Sequence, residues 1–139
     1  MDKIKILIAE DSITQAMQLQ NVLEMNGYEA AIAANGREAL LSIGASRPSI
    51  VISDIVMPDM DGFELCRNIK ADERLRSTPV ILLTSLSDPQ DVIRAVQCGA
   101  DQFVTKPYDE KHLLTTIEQL LHDENLHDRE ENQKGIHIS

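Results

Sequence analysis

Apolar residues follow two patterns along this chain. Five short runs of mostly apolar residues, typical of buried strands, occupy residues 4–9, 28–34, 50–53, 80–84 and 102–105. After each run, apolar residues recur every three or four positions, as they do on one face of a helix. Ser12 and Gln15 resemble a capping box before the first helix, and Asp88 before Pro89 predicts an N-cap for the fourth. The pattern predicts five strands that alternate with five helices.

This alternation determines the expected fold class. Strands separated by helices of about 10 to 15 residues pair in parallel through right-handed crossovers, which gives a three-layer α/β sandwich. The runs are almost uniformly apolar, as expected for strands that helices cover on both faces. At 139 residues, the chain is long enough for one ordinary domain.

Composition and charge exclude several classes of protein. Hydrophobic residues make up 42% of the chain and charged residues 26%, which argues against a disordered or fibrous protein. The net charge of −10 repels phosphate backbones and anionic lipids, so direct binding to nucleic acid or to a membrane is not expected. Because there is no bilayer-spanning apolar stretch and no signal-peptide pattern, the protein is predicted to be cytoplasmic. Cys66 and Cys98 are then expected to be free, buried thiols.

The last part of the sequence differs from the rest. Residues 122–139 hold five acidic and two basic residues and few apolar ones, which predicts a helix extension that frays into a linker. We therefore expect one domain at residues 1–124 and a polar tail or linker at residues 125–139. Within this tail, Ile136, His137 and Ile138 alternate as at the start of a strand. Two interpretations stay open, a ragged C-terminus or a chain cut before a further domain.

The residues that follow the strands are expected to carry the chemistry. In parallel α/β sheets, ligands bind beyond the carboxyl ends of the strands, where the strand order reverses. Three carboxylates, a hydroxyl and an ammonium fall at those ends, namely Glu10, Asp11, Asp54, Thr84 and Lys106. Singly, the first two could cap a helix, Asp54 could belong to a turn and Lys106 could be solvated. Their occurrence together at one sheet edge favours a functional site.

The residue types at that edge indicate a phosphoryl site. Adjacent carboxylates repel one another unless a cation lies among them, and such hard oxygen donors suit Mg²⁺. A divalent ion beside Lys106 and Thr84 would bind a doubly charged tetrahedral oxyanion such as a phosphoryl group. Asp54, at the centre of the cluster, could act as a nucleophile through its carboxylate.

These residues, with their spacing, resemble those of one family. The matching segments are residues 8–12 (IAEDS), 54–62 (DIVMPDMDG), 83–85 (LTS), 99–101 (GAD) and 103–107 (FVTKP). From residue 3 to about residue 124, the sequence resembles the receiver domain of two-component response regulators, and chemotaxis regulators in particular. The resemblance implies a flavodoxin-like fold with a parallel five-stranded sheet in the order 2-1-3-4-5.

The resemblance also implies how the acidic residues act. Asp54 would accept a phosphoryl group from a phosphohistidine on a histidine kinase or on a histidine phosphotransfer protein. Glu10, Asp11 and Asp54 would hold Mg²⁺, with the backbone carbonyl of Val56 as a further ligand. The protein would be a phosphorylatable signalling switch that catalyses only its own phosphotransfer and dephosphorylation.

Four further residues receive roles from the same resemblance. Lys106 would pair with the phosphoryl oxygens, and Thr84 would hydrogen-bond to one of them. Ser85 is small and would leave access to the phosphoacceptor open. Phe103 matches an aromatic position whose side chain moves inward on phosphorylation, although a plain core aromatic would also suit that place.

The implied output is a shift of one face, formed by the fourth helix, the fifth strand and the fifth helix. This face would control a partner or an attached output domain, and a homodimer through it is a further implied partner. The last helix carries Glu110, Glu118, Asp123 and Glu124, whereas the winged-helix DNA-binding subgroup tends to have a basic one. The dimer mode of that subgroup is therefore not expected here.

Two other classes of protein fit these residues less well. A haloacid-dehalogenase-like phosphatase also uses an aspartate nucleophile and Mg²⁺, but it needs a second acid where this chain has Val56. A flavin or dinucleotide module would need a glycine-rich first turn to approach its phosphates. Here that turn is Ala9-Glu10-Asp11-Ser12, and two acids would repel such a ligand.

Overall fold

Five parallel strands alternate with five helices in the computed structural model of the chain, which describes residues 3–85 and 89–137, with side chains up to residue 123. The strands are β1 (Lys5–Ala9), β2 (Glu29–Ala33), β3 (Ile50–Asp54), β4 (Val80–Thr84) and β5 (Gln102–Thr105). The helices are α1 (Ile13–Met25), α2 (Gly36–Ser46), α3 (Gly62–Ala71), α4 (Pro89–Gln97) and α5 (Glu110–His137). The predicted order of elements is confirmed.

The sheet has the strand order β2-β1-β3-β4-β5, and every neighbouring pair is parallel. The chain leaves β1 for the outer strand β2 and then crosses back to β3, so the strand order reverses between β1 and β3. Ala9 lies beside Ser53, and Asp54 lies beside Leu83. The carboxyl ends of β1, β3 and β4 are thereby brought to one edge, as expected for the flavodoxin-like fold.

Two buried clusters lie on opposite faces of the sheet. One joins the sheet to α2, α3 and α4, and it includes Leu7, Val51 and Phe63. The other joins it to α1 and α5, and it includes Ile6 and Ile8. Since successive strand residues point to opposite faces, both faces of each central strand are covered. The predicted three-layer sandwich is confirmed.

The predicted capping box before α1 forms only in part. The Ser12 hydroxyl accepts a hydrogen bond from the backbone N–H of Gln15 at 3.4 Å. The Gln15 side chain does not return to Ser12, because its Oε1 accepts a hydrogen bond from the charged Lys106 ammonium at 3.0 Å. The Ser12 N–H instead donates to Glu10 Oε2 at 3.4 Å. Asp88, the predicted cap of α4, lies outside the described residues.

The C-terminal helix is longer than the sequence pattern predicts. Helix α5 continues across the expected boundary after residue 124 and includes Ile136 and His137. The prediction of a strand beginning there is wrong for these two residues, because a helix satisfies its backbone groups locally whereas a lone strand needs a partner. Ile138 lies outside the described residues. In the described ranges, neither α5 nor any other helix is long and apolar enough to cross a membrane.

Candidate functional site

Three carboxylates meet where the strand order reverses. Glu10 and Asp11 directly follow β1, and Asp54 ends the neighbouring strand β3. One oxygen from each carboxylate lies within 4.8 Å of the other two. Glu10 is buried, Asp54 is half-buried and Asp11 is exposed, so the cluster is open to solvent on one side. The structure therefore brings together all three acids that the sequence placed at this edge.

The cluster carries a negative charge that is unfavourable without a cation. Burial and, after it, the charge of the nearby Asp54 carboxylate raise the pKa of Glu10 to about 7, because Lys106 offsets only part of their effect. Three hard oxygen donors within reach of one another fit Mg²⁺, which favours oxygen ligands and retains several waters. Val56 lies two residues beyond Asp54, in the connection between β3 and α3.

Lys106 connects the carboxylates to the first helix. Its ammonium lies 3.3 Å from Asp54 Oδ2 and 3.4 Å from Glu10 Oε1. It also donates a hydrogen bond to Gln15 Oε1 at 3.0 Å. The sequence analysis does not predict this role of Gln15. The one signal for it is the position of Gln15 in the first turn of α1, shortly after Asp11. The lysine is therefore held in place over the phosphoacceptor candidate by three oxygen partners.

Thr84 and Ser85 approach the same edge from β4. Thr84 is buried at the end of the strand, and its carbonyl accepts a hydrogen bond from the Lys106 N–H at 2.6 Å. Ser85 is exposed and, with Asp54 and Lys106, lines a cavity of about 840 Å³ beside α1. Asp54 and Ser85 thus border the same cavity.

Phe103 lies apart from the carboxylates, on the outer strand β5. Its side chain is 39% exposed and belongs to neither buried cluster. Ile93 and Val96, on α4, are also exposed apolar residues. The structure thus has an outward Phe103, and the simpler interpretation as a core aromatic does not fit its exposure.

The connection that holds Asp54 depends on a glycine. The N–H of Gly62 donates to the carbonyl of Ile55 at 2.8 Å and closes the segment between β3 and α3. A Cβ at Gly62 would collide with the carbonyl oxygen of Asp54 and would lie 2.8 Å from the Cα of Ile55. In the sequence, this glycine stands out only as the last residue of the matching segment 54–62. The close approach shows that it shapes the backbone of the phosphoacceptor candidate.

A single arginine links α4 to this connection. The guanidinium of Arg94 lies 4.3 Å from the centre of the Phe63 ring. Its Nη2 is also 3.5 Å from Oδ2 of Asp61, the residue that caps α3. No local sequence pattern predicts this contact, because its partners lie in different elements.

Comparison with known proteins identifies the family. Residues 6–118 match the family model described as the response regulator receiver domain. The chain belongs to this family. As a receiver domain, it is part of a two-component response regulator system, and the resemblance inferred from the motifs is confirmed.

Curated relatives of this receiver domain are longer proteins. The chain is 37% identical over 121 residues to the probable transcriptional regulator ycf27 of Cyanophora paradoxa, covering 87% of the chain and 49% of the relative. It is 32% identical over 113 residues to the DNA-binding response regulator MtrA of Mycobacterium tuberculosis, covering 81% and 48%. The chain thus spans about half the length of the curated relatives it matches.

Solved structures give the same fold. The receiver domain of a signal transduction histidine kinase from Syntrophus aciditrophicus is 50% identical, with a TM-score of 0.82, and the match covers 86% of this chain and 90% of that one. The chemotaxis response regulator CheY4 of Vibrio cholerae is 32% identical, with a TM-score of 0.79, over 86% and 99%. Similarity thus extends both to a receiver within a kinase and to a chemotaxis regulator.

Proposed function

We propose that this receiver domain accepts a phosphoryl group on Asp54 from a phosphohistidine of a histidine kinase or of a phosphotransfer protein. The observation that carries the proposal is the position of this half-buried carboxylate, which lies among two further acids and 3.3 Å from Lys106. In a chance cluster of surface acids, we would not expect a lysine beside the central carboxylate to be fixed by two further oxygen partners, here those of Glu10 and Gln15.

The proposed transfer is a displacement at phosphorus. An oxygen of Asp54 forms a bond to phosphorus while the bond between phosphorus and the donor imidazole nitrogen breaks, and that nitrogen keeps the electron pair. Lys106 then pairs with a phosphoryl oxygen, and the Thr84 hydroxyl donates to another. Ser85 leaves the approach to Asp54 open on the side of the cavity.

The same proposal includes Mg²⁺ as the metal. Glu10, Asp11 and Asp54 would hold it, together with the backbone carbonyl of Val56. When bound, the ion would neutralise the carboxylates and the incoming phosphoryl oxygens. The raised pKa of Glu10 supports this part of the proposal, since it reflects buried negative charge that a cation would offset.

The proposed output is a shift between two arrangements of α4, β5 and α5. Phosphorylation adds roughly −1.5 to −2 charges at the sheet edge, and a hydroxyl of Thr84 drawn to the new anion would move the end of β4. Phe103, exposed on β5, could then turn inward. The partner would be an output domain, attached or separate, or a second copy of the domain.

Direct binding to nucleic acid is not part of this proposal. The name of MtrA describes a DNA-binding regulator, but the chain covers only 48% of that protein. The net charge of −10 opposes contact between this domain and a phosphate backbone.

Asp54→Asn tests the phosphoacceptor directly. The variant keeps the shape of the side chain but removes the nucleophilic oxygen, so it should take up no phosphoryl group from a small phosphodonor with Mg²⁺. Asp59→Asn, in the same connection, is the matched control and should be labelled like the wild type. Intact mass spectrometry gives the readout, and equal labelling of Asp54→Asn would refute the assignment. Turnover of a phosphomonoester by the wild type would instead indicate the phosphatase class.

A further inference from the structure

The two cysteines of the chain lie together in the core beneath α4. Cys66 is on α3 and Cys98 follows the last residue of α4, and both are free and buried, as the sequence predicted. The Cys66 thiol donates to the carbonyl of Cys98 at 3.4 Å, and the Cys98 thiol donates to the carbonyl of Ala95 at 3.2 Å. Residues 32 positions apart in sequence are thus in direct contact.

The two thiols differ in their ease of ionisation. The interaction between the two neighbouring side chains is the largest cause: it raises the pKa of Cys66, as burial also does, and lowers that of Cys98 to about 7. The thiolate is the reactive form of cysteine, so Cys98 is the better nucleophile of the pair. Cys66, next to it, is placed to act as the resolving thiol.

Burial alone would make such a pair inert, but the element that covers it is weakly held. One of the nine residues of α4, Ala95, is buried. A helix with so little buried apolar surface opens locally at a lower free energy than the strands beneath it. Local opening of α4 would expose Cys98 without unfolding the sheet.

We propose that Cys66 and Cys98 form a reversible disulfide in the presence of a peroxide, and that this bond tethers the end of α4 to α3. The Cys98 sulfur attacks one peroxide oxygen, the O–O bond breaks, and the departing hydroxide takes up a proton to become water. The Cys66 sulfur then attacks the resulting sulfenic acid, the S–O bond breaks, and a second water leaves. In total, two thiols lose two protons and two electrons, and one peroxide becomes two waters.

The test uses the full chain, reduced, freed of reductant and treated with hydrogen peroxide. Remaining thiols are then trapped with N-ethylmaleimide in urea, which exposes the buried cysteines, and intact mass and non-reducing peptide maps are recorded. We expect a monomer that has lost two hydrogens and takes up no maleimide, with the peptides of Cys66 and Cys98 linked, and a dithiol should restore both thiols. Cys66→Ala and Cys98→Ala should form no internal disulfide.

A urea-unfolded sample, in which both cysteines are exposed, gives the peroxide dose that is sufficient to oxidise them. Two maleimides on the folded protein at that dose would overturn the proposal, and so would a covalent dimer. Amide hydrogen exchange in α4 should slow about tenfold or more in the oxidised protein, and unchanged exchange would refute the tether. Asp54→Asn should form the disulfide as readily as wild type, so this result is independent of the proposed phosphotransfer.

Discussion

Helices α3 and α4 cover the same face of the sheet but are held very differently. Five of the ten residues of α3 are buried, whereas one of the nine residues of α4 is buried. α3 begins at Gly62, which packs against the backbone of Asp54. The side chain of its N-cap, Asp61, accepts a hydrogen bond from the N–H of Glu64 at 2.8 Å. α4 instead exposes Val92, Ile93 and Val96.

This difference indicates that the two helices of this layer have different roles. α3 supports the backbone that carries the phosphoacceptor candidate, and a rigid support keeps a reactive carboxylate in place. α4 has little buried surface to lose, so a small change in charge at the sheet edge can shift its position. A fixed site beside a weakly held helix is a suitable arrangement for a switch.

The largest expected effect comes from removing the core contact of α3. Phe63→Ala empties a fully buried site and should lower the free energy of unfolding by about 3–5 kcal/mol. The side chain of Val96, on α4, is 70% exposed, so Val96→Ala should change the free energy of unfolding by less than about 0.5 kcal/mol. Urea unfolding followed by circular dichroism measures both. Similar losses for the two variants would remove the contrast between the helices.

A smaller effect is expected at the start of α3. Gly62→Ala places a methyl group against the backbone of Asp54, so it should destabilise the fold by about 1–3 kcal/mol and slow phosphoryl uptake. Gly44→Ala is the matched control, because nothing lies within 4 Å of its Cβ position inside α2. It should gain about 0.5–1 kcal/mol and leave uptake unchanged. Normal uptake by Gly62→Ala would show that the close contact does not shape the site.

The smallest effect is expected from the link between the two helices. Arg94→Ala removes a cation–π contact with Phe63 and an exposed ion pair with Asp61, which together stabilise the fold by about 1 kcal/mol. Amide exchange in α4 should therefore become faster, while that in α3 stays the same. Arg74→Ala removes an ion pair with Asp72 that does not involve α4, and it serves as the control. Equal exchange in both variants would contradict a link through Arg94.

The layers and the acidic edge could be predicted because each depends on a local pattern. Apolar runs and helical spacing indicate the elements, and parallel strands bring the residues that follow them to one edge. Glu10, Asp11, Asp54 and Lys106 needed only this rule and the known preferences of carboxylates. The family resemblance then supplied roles that spacing alone could not.

Contacts between distant elements could not be predicted in this way. The local pattern predicts Gln15 as a cap residue, but its side chain accepts a hydrogen bond from Lys106, a residue that follows β5 and comes within reach of α1 only in the folded sheet. Arg94 and Phe63 meet only once α3 and α4 pack on the same face. The extent of α5 was missed for a different reason, since a polar composition does not mark the point at which a helix ends.

The central claim is that a phosphoryl group on Asp54 is sensed by α4 and not by α3. Amide hydrogen exchange of the full chain, with Mg²⁺ and with or without a small phosphodonor, tests it most directly, and peptide mass spectrometry locates the phosphoryl group in the same sample. We expect the group on Asp54, a changed exchange rate in α4 and at the end of β4, and an unchanged rate in α3. A chain phosphorylated at Asp54 with unaltered exchange in α4, or one phosphorylated elsewhere, would contradict the account.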